Sequence, residues 1–347
     1  MLVWTLFVSL ILLLLAVDLG IFHRKAHVVT AREGLAWSIV WMTLAFGFSG
    51  FIYGAYEHKW LGLGLLPDPV DRTAAMPDGI VNDGSTALVK YLTGYVIEQS
   101  LSVDNMFVIA MLFRFFAVPA VYQHRVLFWG ILGALTMRGV MIALGATLIA
   151  EFGWVLYLFG IFLIFTAVKM LFLDSEDSDP RNNIVVRTTR RLFPVTKRYH
   201  GQHFFLRRRG AIFLTPLALA LIMVEMTDLV FAVDSIPAIF AITADPFLVF
   251  ASNAFAILGL RSLYFVLAGA LNTFRYLKVS LSLVLALVGT KMLAHTWLKE
   301  TLGEHVNLYV LAAVVLILAA GAIASVLVTG AEKPERLVTA AEKPERR

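Results

Sequence analysis

Five carboxylates stand in stretches of chain that are otherwise apolar. "EQSLSVDNMF" carries Glu98 and Asp104, and "VEMTDLVFAVDSIPA" carries Glu225, Asp228 and Asp234. A carboxylate in an apolar setting either costs several kcal/mol or takes up a proton, so each needs a partner, water or a cation. Ser102, Asn105, Ser235 and Asn253 stand near them as neutral oxygen donors, and Arg138 and Arg261 lie in adjacent apolar stretches. Five acids against two arginines leave a surplus of negative charge. A divalent cation that prefers oxygen ligands would relieve it, and Mn²⁺, Mg²⁺ and Ca²⁺ qualify. Zn²⁺ and Cu⁺ more often take imidazole or thiolate, and this chain has no cysteine and no histidine pair at ligand spacing. The structural alternative is that the arginines pair two acids while the others are protonated, all of them holding the fold together.

The spacing constrains the geometry. Glu98 and Asp104, like Asp228 and Asp234, are six residues apart, a rotation of about 240° on a regular helix, so the members of a pair do not share a face. Either they face different partners or the helix is interrupted. Pro237 favours interruption in the second segment, because it cannot donate to the carbonyl of Val233 and its ring crowds that carbonyl. Glu225 and Asp228, three apart, do share a face.

The elements that must position these groups are membrane-spanning helices. The 347 residues are 59% hydrophobic and only 15% charged, with a mean hydropathy of +0.80, outside the range of soluble domains. Nine stretches reach the roughly 20 residues that a bilayer crossing needs: 2–22, 34–56, 86–113, 126–149, 153–173, 211–236, 247–270, 277–297 and 306–328. The first has no basic n-region and no small-residue cleavage site, so it reads as a retained span. The expected class is an all-α polytopic membrane protein in one transmembrane domain over 1–330, with a disordered tail at 331–347 that repeats "AEKPER".

Basic residues cluster after alternate spans: Arg24, Lys25 and Arg32; Arg114 and Arg125; "RRLFPVTKRYHGQHFFLRRRG"; Arg275 and Lys278; and the tail. The opposite loops are acidic or nearly neutral, notably 57–85. The positive-inside rule then places the N-terminus outside and the C-terminus in the cytoplasm. The net charge of +5 is spent on these loops and gives no nucleic-acid-binding face. The loop 174–210 begins acidic and turns basic, which suits the anionic headgroup region or a docking partner. Lys169 and Lys291, near span ends, are expected to snorkel to the interface, and Asp18 to sit at the interface.

A weak internal repeat organises the middle of the chain. The acid pairs of spans three and six are followed by "ILGALTMR" with Arg138 and "AILGLR" with Arg261, then by "AVKML" with Lys169 and "GTKML" with Lys291. Under the expected topology the segments 86–173 and 211–297 run in opposite directions. Inverted three-helix repeats with a site between them are a transporter architecture.

"EQSLSVDNMFV" and "VEMTDLVFAVDSIPAIFAITADPFLVFASNAFAILGLRSLYF" resemble the two hallmark segments of the TerC family, especially its Alx branch, and the likeness runs from about 10 to 328. The resemblance implies a multi-pass protein of the bacterial inner membrane, related to LysE-type transporters and linked to manganese export; the family's name comes from tellurium-resistance operons. It also implies that Glu98, Asp104, Glu225, Asp228 and Asp234, with Asn105 and Asn253 in the same motifs, are the metal ligands.

The expectation is therefore an Mn²⁺ exporter working by alternating access, with Asp104 and Asp234 as central ligands. Glu98, Glu225 and Asp228 would complete the site or carry protons in metal–proton exchange. Neither an organic cofactor nor a catalytic residue is expected, and no phosphate-binding glycine loop points to an ATP-driven pump. The alternatives are a metal-dependent accessory protein for metallation or assembly of other proteins, and a tellurium-related stress protein in which the acids are structural. Tellurite, an anion, would want arginines at its site, and the surplus here is acidic.

Overall fold

The computed structural model describes residues 2–18, 29–71, 79–172, 184–196, 198–208, 211–267 and 276–341. Eleven helices dominate it: α1 (Leu2–Val17), α2 (Ala31–Glu57), α3 (Gly84–Phe115), α4 (Ala120–Glu151), α5 (Val155–Phe172), α6 (Ile184–Leu192), α7 (Pro216–Phe240), α8 (Pro246–Leu267), α9 (Leu277–Leu293), α10 (His295–Leu302) and α11 (Val306–Ala341). Two antiparallel ribbons accompany them. β1 (Pro67–Asp68) pairs with β2 (Ile80–Val81), and β3 (Phe205–Arg208) pairs with β4 (Ala211–Leu214).

Among the described residues seven helices are long and apolar enough to cross a membrane: α2, α3, α4, α5, α7, α8 and α11. The all-α polytopic class is thereby established. α1 and α9 are shorter than the expected spans, at 16 and 17 residues. The end of the first span, with Arg24 and Lys25, lies outside the described residues, and α9 stops at Ala294, where α10 begins. Arg275, Asp78, the acidic stretch 174–179 and residues 342–347 also lie outside them.

Side-chain oxygens set several helix starts. Asp83 accepts from the amide of Thr86 at 2.7 Å to open α3, and Thr215 accepts from Ala218 at 3.3 Å to open α7, with Pro216 as its first residue. Both satisfy amides that the helix itself leaves unpaired. This cap moves the start of the sixth span from 211 to 216, because 211–214 is used as strand β4.

Large apolar side chains cover the surface, and a mostly apolar core encloses a minority of polar and charged groups. Leu13, Leu144, Phe165, Leu316 and Leu327 face outward, while Glu98, Arg138, Asn253 and Arg261 are buried. α3 packs on α7 and α8, α4 on α7 and α8, and α5 on α9. The α5–α9 crossing is close because Gly289 rests on Gly160: a Cβ on Gly289 would meet the Gly160 carbonyl oxygen at 2.9 Å.

Three expectations change. α7 is one helix through Phe240 despite Pro237, which falls in its last turn, where few intrahelical bonds remain to be lost. α11 runs on to Ala341, past 331, the expected start of the tail. The basic loop is structured in its described part, where α6 precedes the β3–β4 ribbon.

Candidate cation site

Glu98 on α3, Arg138 on α4 and Asp228 on α7 each lie near the middle of its helix. They meet. Arg138 Nη1 donates to Glu98 Oε1, and Asp228 takes a two-pronged contact, from Nε to Oδ2 at 3.3 Å and from Nη2 to Oδ1 at 3.0 Å. Nη1 also donates to Asn253 Oδ1 of α8 at 2.8 Å and lies 3.5 Å from Ser235 Oγ. Asn253 Nδ2 in turn donates to Glu98 Oε2 at 3.4 Å, and Ser102 Oγ to Glu98 Oε1 at 3.4 Å. The guanidinium and the Glu98 side chain are fully enclosed. A forked guanidinium matches one carboxylate edge to edge and has N–H groups left for a second.

Glu225 stands beside this cluster, three residues before Asp228. Its carboxylate lies over the backbone of Gly133 in α4: a Cβ there would meet Glu225 Oε1 at 2.1 Å. Its other oxygen, Oε2, is buried with no hydrogen-bond partner, and so is Asn105 Nδ2 on α3. An unsatisfied buried acceptor is costly unless a cation or proton reaches it.

Asp104 and Asp234 go elsewhere. Asp104 looks toward α9, where Lys278 is the cation in electrostatic reach. Asp234 accepts from Thr166 Oγ1 of α5 at 3.2 Å, with Lys169 in reach. The six-residue spacing thus resolves as different partners on an uninterrupted helix. Arg261 binds Asp18 and ties α8 to the end of α1, so the two arginines that the repeat equates have different jobs. Among the described residues no three histidine or carboxylate side chains converge at metal-ligating spacing.

A second charged cluster escaped the sequence reading. Lys90, fully buried near the start of α3, donates to Asp68 at 2.8 Å, Asp71 at 2.5 Å and Asn82 at 2.6 Å. Asp68 also accepts from Thr243 Oγ1 and from the amide of Ala244 at 2.9 Å. The loop before α3 is thereby fastened to the α7–α8 junction. Lys291 does not snorkel. It is buried and donates to the carbonyl of Ala241. With His295, Lys299, Asp71, Asp83 and Thr86 it lines a cavity of about 230 Å³. The signal for Lys90 was present as a lysine inside the stretch 86–113, preceded by a run of aspartates.

Burial pushes the Asp68 carboxyl up, but Lys90, Thr243 and the Ala244 amide outweigh it and hold Asp68 below its ordinary value. His295, on α10 beyond the end of α9, is pushed down to about 4 by burial and by Lys291.

An apolar bundle with an enclosed arginine–carboxylate centre defines a polytopic membrane protein. Comparison places it further: residues 83–333 match the model of the integral membrane protein TerC family, and the chain belongs to that family. It is 47% identical over 289 residues to an uncharacterized membrane protein of Myxococcus xanthus, covering 83% of this chain and 82% of that one. It is 44% identical over 293 residues to an Escherichia coli K12 protein described as "Putative membrane-bound redox modulator Alx", covering 84% and 85%. A Rickettsia bellii membrane protein is 38% identical over 295 residues, covering 85% and 89%. No solved structure matches. Like these bacterial relatives the chain is a multi-pass membrane protein, consistent with the inner membrane.

Proposed function

We propose that the chain is a divalent-cation transporter, an Mn²⁺ exporter that alternates access between two inverted repeats, α3–α5 and α7–α9. The observation that carries this reading is the enclosed set of oxygen donors contributed by both repeats: Glu98 from the first, Asp228, Ser235 and Asn253 from the second. Intramembrane ionisable groups are functional by default. Reciprocal packing supports the repeats, since α3 lies on α8 as α4 lies on α7, and each third helix packs on the other.

In this reading Glu98 and Asp228 form the central pair, Asn253 completes it, Glu225 stands beside it, and Asp104 and Asp234 line the routes to it. The surplus of acids suits exchange of metal for protons. Purified protein in liposomes should move Mn²⁺ without any partner, and Glu98→Gln and Asp228→Asn should each abolish the flux. In cells lacking the protein, wild type should lower manganese content while Asp104→Asn and Asp234→Asn, though inserted, lower it less. No Mn²⁺ flux from a folded wild type would refute the reading.

The description of relatives as redox modulators gives a second reading. This chain has no cysteine, so such a role cannot run through thiol–disulfide exchange on its own side chains. The same liposomes separate the two.

A further inference from the structure

We propose that Arg138 is a tethered occupant of the cation site, displaced by the metal ion and received by Glu225. The inference rests on the transport reading and concerns how that same site is regulated.

The geometry around the guanidinium is that of a cation site. Its partners are oxygen acceptors from three other helices: Glu98, Asp228 through both carboxylate oxygens, Asn253 Oδ1 and Ser235 Oγ. These are the donor types a hard divalent ion takes. Two carboxylates against one guanidinium leave a net charge of −1, and a divalent ion in its place leaves zero. The exchange is therefore favoured on charge alone, provided the displaced guanidinium finds an anion.

Glu225 is that anion. It occupies the same face of α7 as Asp228, and its Oε2 is buried without a hydrogen-bond partner. It rests against Gly133 of α4, Arg138's own helix. Arg138 already holds Asp228, and Glu225 stands one turn before it on that face of α7, about 4.5 Å along the axis. That is within the sweep of an arginine. Gly133 is the residue that leaves space there.

The device answers an energetic need. Two buried carboxylates left without a counter-ion are strongly destabilising, so a carrier whose metal has left requires a substitute charge. Arg138 supplies it from within the chain.

The test is Mn²⁺ titration of the purified full chain in nanodiscs. Arg138→Gln should bind Mn²⁺ at least tenfold more tightly than wild type, and Mn²⁺ should raise its melting temperature more. Arg138→Lys, whose ammonium still competes, should fall between. Glu225→Gln, which removes the receiver while keeping the Arg138 contacts, should bind Mn²⁺ at least tenfold more weakly. Unchanged affinity in folded Arg138→Gln overturns the proposal. Should that variant not fold, unchanged affinity in Glu225→Gln does so. Wild type that neither binds nor transports Mn²⁺ sinks the transport reading itself; wild type that binds, with both variants unchanged, sinks only the displacement.

Discussion

Glu98 and Asp228 come from different halves of the chain and accept hydrogen bonds from one guanidinium, that of Arg138. The arginine is thus the joint between α3 and α7, and each acid is held by a partner it cannot exchange for water. Removing one member of such a buried set costs about 3–5 kcal/mol, because the charge left behind stays buried. Glu98→Gln and Asp228→Asn should therefore lower the melting temperature as well as stop transport. Asp104→Asn and Asp234→Asn, whose groups are only half-buried, should melt close to wild type. Differential scanning fluorimetry in detergent checks the contrast.

Gly133 and Glu225 give a finer probe. An added methyl at Gly133 meets the far end of a flexible side chain, not backbone. Gly133→Ala should displace the Glu225 carboxylate with little change in stability, since alanine gains up to about 1 kcal/mol in helix propensity. Mn²⁺ flux should drop several-fold while the melting temperature holds; unaltered flux would show that Glu225 has no part in it.

Gly289 behaves oppositely. Its added methyl meets the carbonyl oxygen of Gly160 and the amide nitrogen of Ile164 at 3.2 Å, both backbone. Gly289→Ala must push α5 and α9 apart, and the loss should exceed the propensity gain, at about 1–3 kcal/mol. A melting temperature at or above wild type would contradict this crossing.

The Asp68–Lys90 fastening carries a pH signature. A carboxylate held below its unfolded value of about 3.9 contributes stability that is present above that pH and lost as pH falls through the folded value. Asp68→Asn should be clearly less stable than wild type at neutral pH, and the gap should close in acid, below about pH 4. A gap constant from pH 7 to pH 3 would exclude a charged Asp68.

His295 predicts a second, separate window. The unfolded chain takes up the histidine proton near pH 6.5, whereas the folded site resists it down to about 4. Stability should therefore fall as pH drops from 6.5 toward 4. His295→Gln should flatten that part of the profile and leave the Asp68 window in place.

Some of this was legible before any fold was known. Apolar runs longer than a bilayer is thick admit only helices, so the class and most spans followed from composition. The six-residue spacing already required Glu98 and Asp104 to face apart. Proline misled, since its effect depends on whether turns remain beyond it, and Pro237 has only one. Lys291 misled for another reason: a lysine near a helix end snorkels only when a neighbouring helix or loop does not cover it.

The sequence by itself therefore determined which charges enter the membrane and on which side of a helix each stands, because helical periodicity and the cost of burial are local. Only the tertiary structure decided which acid meets which cation. Arg138 and Arg261 stand in similar stretches, "ILGALTMR" and "AILGLR", yet one binds Glu98 and Asp228 and the other Asp18. That choice is made by which helices pack together, and helix packing depends on side-chain shape along whole faces, which no spacing of charges records.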